Sequence, residues 1–430
     1  MHVVCLTCKA SVQARIVASA GADPNEERIM RLAVVRVPEG FDDTVDIAGL
    51  PVYLRQVLAL QSAGATRVVL WGAADSELGR LRSDRRVHCE LSTELRADDA
   101  GASALWVTRA DYTFHRAWPQ WAMTQVDGLE GGVSFGERDA LVFLLGTRVA
   151  ACVEAMRSSA PADPLSLDGV ESSELAPGMF CVEISRPAGR EQALREHLQS
   201  LIKPTGGVID RKFMRPISLR LTRRLCDSPV TPNVISLWSL LLALLAAGMA
   251  ASTEPGVYIA AGIIHFSVRI FDCVDGELAR LRYQSTAFGQ WLDTVADGIG
   301  VGAFVLGVTY KTAIQYAAEP WWILGGVGLL LYALVQIFQL AVARRTTGGG
   351  SVQAVEWSFQ RENARGIDRL VGSIHNFVRI DFISTVYALL VIVDAGRVLL
   401  VAHLLASAGG TLYLVGQLLR TPRVEADASS

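Results

Sequence analysis

A chain of 430 residues exceeds the roughly 100–200 of an ordinary domain, so two modules are expected. Hydrophobic residues make up 51% and charged residues 19%, with a mean hydropathy of +0.31, a balance that argues against a wholly soluble protein. Forty Lys and Arg against 43 Asp and Glu leave a net charge of −3, which excludes a global basic field for nucleic acid, and seven Cys with a lone CxxC at Cys5 and Cys8 exclude a secreted disulfide framework.

Residues 1–200 are expected to form a cytoplasmic α/β domain. Met1 to Ala10 has no long apolar run of the kind that opens a secretory signal. Short β-rich runs (Leu32–Val35, Arg67–Trp71, Ala104–Thr108) alternate with helical stretches such as Val52 to Gly64, the pattern of a layered fold with a mainly parallel sheet. Gly49-Leu50-Pro51-Val52-Tyr53-Leu54-Arg55-Gln56, then Ala63-Gly64-Ala65 before a strand, and Arg109-Ala110-Asp111 after one, resemble the nucleotidyltransferase fold of sugar-phosphate and inositol-phosphate cytidylyltransferases. The resemblance spans roughly residues 30 to 200 and implies a metal-binding role for Asp111. A glycine-rich basic loop should follow the first strand to cradle a triphosphate. Here that place reads Arg36-Val37-Pro38-Glu39-Gly40-Phe41-Asp42-Asp43, with one glycine and three acids, so a degenerate domain that no longer transfers nucleotides is expected.

Residues 201–232 are expected to be an amphipathic juxtamembrane helix and linker. Lys203, Arg211, Lys212, Arg215, Arg220, Arg223 and Arg224 stand against Asp210 alone, interleaved with Phe213, Met214, Ile217, Leu219 and Leu221, the make-up of a helix on an anionic membrane surface.

Residues 233–421 read as an all-α bundle of six transmembrane helices, with spans beginning near Val234, Gly256, Ala287, Trp321, Phe377 and Val398; residues 422–430 read as a disordered tail. The first, third and fifth connections carry only Lys311 and Arg397 as strong bases. The opposite side carries Arg220, Arg223, Arg224, Arg280, Arg282, Arg344, Arg345, Arg361, Arg365 and Arg369. That asymmetry places both termini in the cytoplasm, with the bundle in the inner membrane. His265 and His403, within apolar spans, read as packing residues.

Around the second and third spans, Asp272, Asp275, Gly276 and Ala279 share one helical face, and Gly289, Asp293 and Asp297 share another. Each intramembrane carboxylate costs about 2.5–3.5 kcal/mol on insertion scales. Acids gathered on facing helices repel one another unless a divalent cation neutralises them, and an all-oxygen set points to Mg²⁺ or Mn²⁺. Gly276 and Gly289 allow close approach, and Arg280 stands within reach as a phosphate donor. Metal, arginine and cleft together suggest phosphoryl-group chemistry.

Asp272-x2-Asp275-Gly276-x2-Ala279-Arg280-x8-Gly289-x3-Asp293-x3-Asp297 resembles the signature of the CDP-alcohol phosphatidyltransferases, every fixed position present. The resemblance implies a six-helix enzyme that moves a phosphoalcohol from a CDP-alcohol to an acceptor alcohol, releasing CMP, with two divalent ions. It assigns Asp272, Asp275, Asp293 and Asp297 to metal, Asp297 also to general base, and Gly276, Ala279, Arg280 and Gly289 to the nucleotide. Thr231, Pro232 and Asn233 read as a helix cap, and the resemblance adds a nucleotide contact for Asn233. In inositol-phosphate-using relatives bases in this region hold the acceptor's phosphate, a role open here to Arg379, Arg344 or Arg345, with a pair to Asp381 the alternative for Arg379; a homodimer is what the resemblance implies. The domain order resembles fused inositol-phosphate cytidylyltransferase and di-inositol-phosphate phosphate synthase proteins. Rival readings are a membrane-anchored scaffold with a remnant site and a bifunctional cytidylyltransferase plus transferase.

Overall fold

The computed structural model describes residues 30–420 apart from 43, 127–130, 137–139, 162, 164, 166–169, 203–206, 208, 348–365, 367–371 and 373–378. Cys5, Cys8, Lys203, Arg361, Arg365, Arg369, the start of the fifth span at Phe377 and the 422–430 tail lie outside the described residues. The chain divides into two compact units, Met1–Ser200 and Leu201–Ser430.

The N-terminal unit is an α/β fold with a mainly parallel sheet. Its seven strands are β1 (Arg31–Arg36), β2 (Arg67–Trp71), β3 (Glu90–Ser92), β4 (Ala104–Arg109), β5 (Gly132–Phe135), β6 (Leu141–Leu145) and β7 (Glu171–Ser172), and their order across the sheet is β7-β5-β6-β4-β1-β2-β3. β1 pairs in parallel with β2 and β4, so Val34 stands between Val69 and Val107; β6 alone runs antiparallel, against β4 and β5. The central strands are apolar on both faces because helices cover both. One face packs Leu32, Val34, Leu105, Val107 and Val142 against Val149, Val153 and Met156 of the helix Thr147–Arg157.

The C-terminal unit is helical. A π-helical turn, Asp210–Met214, leads into α1 (Arg215–Leu225). There follow α2 (Pro232–Ala250), α3 (Pro255–Leu281), α4 (Ala287–Gln315), α5 (Trp321–Thr347), α6 (Ile380–Ile392) and α7 (Gly396–Arg420). Five of these, α2 to α5 and α7, are long and apolar enough to cross a membrane, and the sixth apolar helix, α6, has 13 described residues. The unit is that of a multi-pass membrane protein, with its apolar helices in the expected order.

Phe304, Val305 and Val308 of α4 form the centre of the bundle, packed with Ala246 and Ala250 of α2, Tyr258 and Ala261 of α3, Val391 of α6 and Leu400 of α7. Small residues set the closest approach: a Cβ on Gly307 would collide with the carbonyl oxygen of Ala247. At one end of the bundle Lys311 is buried, paired with Asp394 and 3.4 Å above the Tyr258 ring, while Arg397 lies 4.3 Å from the Tyr316 ring. Lys311, which the structure places inside α4, and Arg397, in the first turn of α7, thus both lie at the end opposite the carboxylates.

Candidate active site

Asp272 and Asp275 belong to the C-terminal half of α3, and Asp293 and Asp297 to the N-terminal half of α4, one helical turn apart in each case. The tight connection between the helices brings the two acidic faces together. Carboxylate oxygens of Asp272, Asp275 and Asp293 all lie within 4.8 Å of one another. Asp297 opens onto the same cavity, and its Oδ1 accepts from Arg269 Nη2 at 2.6 Å, as Asp272 Oδ2 does at 2.6 Å. The cavity lies between α2, α3, α4 and α6, with a volume of about 20 Å³, and Arg269 is the guanidinium in its lining. Four carboxylates facing one guanidinium leave three negative charges uncompensated when all are ionised. The three-acid group is oxygen-only, since Cys273 turns to the other side of α3, where its Sγ lies 3.5 Å from Asp210 Oδ1. Hard oxygen donors with excess negative charge in a low-dielectric setting fit a divalent cation.

The neighbours of the acids are also defined. Gly276, Ala279 and Arg280 follow Asp275 in the last turns of α3, and a Cβ on Gly276 would stand 3.1 Å from Arg280 Nη1, so the glycine makes room for the guanidinium beside the helix. A Cβ on Gly289 would stand 3.3 Å from Asn233 Oδ1, which puts the first turn of α2 next to the first turn of α4. Thr231 occupies the N-cap of α2, with Pro232 in the first turn and no side-chain cap bond from Thr231. Arg379 Nε donates to Asp381 Oδ1 at 3.1 Å, the ion-pair alternative for that residue, and Arg344 is exposed in the last turn of α5. Neither lines the carboxylate cavity among the described residues.

Three features beyond the acid pattern shape the site. Ser236 Oγ donates to Asp275 Oδ2 at 2.5 Å, orienting that carboxylate from α2. Arg282, which reads in the sequence as a topology marker, is buried and donates to the carbonyls of Leu225, Cys226, Ser228 and Val230, gathering the connection between α1 and α2 against the end of α3. Glu277 is fully buried and accepts from Arg215 Nη1 (2.7 Å), Ser218 Oγ (2.7 Å) and Thr222 Oγ1 (2.6 Å), which fastens α1 along α3. Burial works against the Arg215 charge, yet Cys273, Asp210 and Glu277 around it hold its pKa above the usual guanidinium value. None of the three was signalled in the sequence: the partners of Arg282 and Glu277 lie more than fifty residues away, and Ser236 lies 39 residues from Asp275.

Residues 229–411 match the model of the CDP-alcohol phosphatidyltransferase family, a stretch that contains every residue of the cavity. The helical unit is similar to that family over this stretch. Among curated proteins, the chain is 30% identical over 145 residues to a bifunctional IPC transferase and DIPP synthase of Aquifex aeolicus, covering 34% of this chain and 33% of the relative. It is 30% identical over 146 residues to the protein of the same description from Thermococcus kodakarensis, covering 34% and 32%. A third, from Rubrobacter xylanophilus, is 29% identical over 250 residues, covering 54% and 53%. The matched stretch thus spans about a third of the length of the first two relatives and about half of the third. Within the matched stretch, the four carboxylates and Arg269 line a single shared cavity.

The N-terminal unit also places an acid just beyond a central strand. Asp111 lies two residues past the end of β4, and Arg109, the last residue of that strand, clasps it with Nε to Oδ1 at 2.9 Å and Nη2 to Oδ2 at 2.7 Å. The bidentate pair raises the Arg109 pKa. The loop after β1 is held by its own acid: Asp42 Oδ1 accepts from the Thr44 hydroxyl at 2.6 Å, and Oδ2 stands 3.5 Å from Arg190.

Proposed function

We propose that the protein is a divalent-metal-dependent CDP-alcohol phosphotransferase that moves a phosphoalcohol unit onto an acceptor alcohol and releases CMP. The gathering of Asp272, Asp275 and Asp293 within 4.8 Å, on a cavity shared with Asp297, carries this reading. In the reaction a bond forms between the acceptor oxygen and the phosphorus, the bond from that phosphorus to the CMP oxygen breaks, and the acceptor's proton passes to a carboxylate. Asp272, Asp275, Asp293 and Asp297 would hold two Mg²⁺ or Mn²⁺ ions, which when bound polarise the diphosphate and stabilise the departing CMP. Asp297 accepts the acceptor's proton, and Arg269 fixes the orientation of Asp297 and Asp272 together. Gly276, Ala279 and Gly289 admit the cytidine diphosphate close to the backbone, Arg280 donates to its phosphates, and Asn233 reaches it from α2. Arg379 and Arg344 bind a phosphate on the acceptor. Two bases at the end holding Lys311 and Arg397, against the many at the carboxylate end, support an inner-membrane protein with the carboxylates, the N-terminal unit and both termini on the cytoplasmic side. Membrane lipids surround the helices, a homodimer is the assembly, and nucleic acid is not a partner.

The test is incubation of the full-length protein in detergent micelles with a panel of CDP-alcohols and polar acceptors, with and without Mg²⁺, reading CMP and products by mass spectrometry. Asp293→Asn should abolish CMP release while the variant still folds. Turnover equal to wild type in that variant, or in the presence of a chelator, would overturn the assignment.

A further inference from the structure

Two aromatic pairs mark the height of the bilayer on α4. At the carboxylate end Phe288 and Trp291 lie 6.0 Å apart between ring centroids, and at the far end Tyr310 meets Trp322 of α5 at 5.9 Å. All four are exposed, as aromatic side chains at the two faces of a membrane are. From Trp291 to Tyr310 the helix rises about 28 Å, close to the roughly 30 Å of bilayer hydrocarbon. Asp275 and Asp293 stand at one height, since their carboxylate oxygens lie within 4.8 Å. α3 and α4 run in opposite directions, so Glu277, two residues beyond Asp275, is level with Trp291, two residues before Asp293. Glu277 is the residue to which α1 is fastened. α1 therefore lies at the boundary between acyl chains and headgroups.

At that height α1 turns its polar side inward. Arg215, Ser218 and Thr222 are buried on Glu277, and Asp210, the one acid between residues 210 and 225, is buried with Arg215. The opposite side carries Phe213, Ile217, Arg220 and Arg224 at steps of four, three and four residues, which makes a single stripe. Phe213 is 62% and Ile217 42% exposed, and Arg220 and Arg224 are exposed with Arg211 and Lys212 near them. An ordinary surface helix shows water its polar side. Here that side is spent on Glu277, and the outward side mixes apolar with basic groups. Water suits the bases and not Phe213 or Ile217, whereas acyl chains do the reverse. The headgroup layer of an anionic leaflet suits both, with the apolar side chains dipping toward the acyl chains and the bases reaching phosphate.

We propose that the outward stripe of α1 is a docking surface for anionic lipid headgroups, and that lipid bound there clamps α1, and through Glu277 the last turns of α3, against the bundle. Two observations favour lipid over a protein partner: the helix sits at the height that Trp291 fixes, and its outward charge is of one sign. Each base at an anionic surface strengthens binding roughly fivefold, so four together hold a short helix that two apolar side chains alone would not. The clamped turns of α3 begin at Asp275, so the charge of the leaflet governs how firmly one wall of the acid cluster is held.

The experiment is hydrogen exchange on the full-length protein in nanodiscs of phosphatidylcholine alone, or of equal parts phosphatidylcholine and phosphatidylglycerol. In the charged discs the amides of residues 211–225, and those of 276–282 at the end of α3, should exchange about tenfold more slowly than in the neutral discs. High salt should remove most of that difference, because exposed charges are screened. Arg220→Gln/Arg224→Gln should remove most of it at low salt, with exchange in the centre of α4 unchanged, since both side chains are exposed and neither holds the fold. Equal rates in the two discs overturn the docking surface: slow exchange in both shows the stripe covered by protein, a second copy included, and fast exchange in both shows it bare. Slowing that survives both salt and the double variant also overturns it, since apolar contact alone then holds α1. Slowing of α1 without slowing of 276–282 overturns the clamp. Hydrogen exchange needs no donor or acceptor alcohol, so the result is independent of the transferase reading.

Discussion

Arg215 Nη1 donates to Glu277 Oε1 at 2.7 Å across the contact between α1 and α3, two residues beyond Asp275. Both side chains are buried, and Arg215 also holds Asp210 Oδ1 at 3.0 Å from its Nε. Arg215→Met should destabilise the helical unit by about 3–5 kcal/mol, because Glu277 then keeps a buried charge with only two hydroxyls on it. Glu277→Leu should cost less, since Arg215 retains Asp210. Unfolding in mixed micelles measures both, and equal losses would remove the asymmetry.

Gly276 and Arg280 make a second pair of linked positions. A Cβ at Gly276 meets only the far end of the Arg280 side chain, at 3.1 Å, so Gly276→Ala should fold normally and displace the guanidinium by a few tenths of an ångström. The expected result is a several-fold higher KM for the CDP-alcohol with Tm unchanged. Arg280→Lys should raise the same KM further, because a planar fork of donors becomes a point charge. An unchanged donor KM in both variants would separate Arg280 from the phosphates.

The acid faces of α3 and α4 were legible because helical periodicity converts a spacing of three or four residues into a shared face, and intramembrane carboxylates stand out against an apolar background. The central strands were legible for a similar reason: both faces of a parallel strand are covered, so each is a plain apolar run. The reversed direction of β6 was not, since Leu141–Leu145 reads the same in either sense. Contacts between distant residues were equally hidden. Nothing near Arg282 announces four carbonyls from residues 225–230, and nothing near His265 announces that its nitrogens face a cavity instead of a partner.

Gly307 tests the helix packing that carries the site. A Cβ there would run into the backbone carbonyl of Ala247, whereas a Cβ on Gly248 meets nothing within 4 Å. Gly307→Ala should therefore lower stability by about 1–3 kcal/mol, the cost of overpacking against a group that cannot rotate away, and Gly248→Ala should be neutral or slightly stabilising. Matching Tm values for the two variants would refute the close α2–α4 approach.

In the N-terminal unit, Arg109 already fills both oxygens of Asp111, and the loop after β1 offers acids where a triphosphate needs donors. Incubation of the full chain with CTP and a sugar or inositol phosphate should yield no pyrophosphate. Arg109→Ala should leave that result unchanged, because the acidic loop still repels the nucleotide. Pyrophosphate formation by the wild type would restore the bifunctional reading.

His197 gives the same unit an acid sensitivity. The ring is buried in the helix Pro187–Gln199, its Nε2 lies 2.8 Å from Thr113 Oγ1, and it stacks edge-on to Phe180. Burial first, then the charges of Arg55 and His115, push its pKa well below the ordinary value, so it is neutral in the folded unit at neutral pH. The unfolded chain takes up the proton near pH 6.5. Stability is therefore full above about pH 6.5 and falls as the pH drops toward the folded pKa, by up to about 1.4 kcal/mol per pH unit from this group. His115, also lowered by burial, adds to the slope in the same direction. Hydrogen exchange of the β1 and β4 amides between pH 5 and 8, in the full-length protein, reads the unit separately from the helices. His197→Gln keeps a hydrogen-bonding side chain for Thr113 but cannot titrate, so its protection should fall less steeply in acid than that of wild type; a parallel decline in the two proteins would show that His197 is not the group responsible.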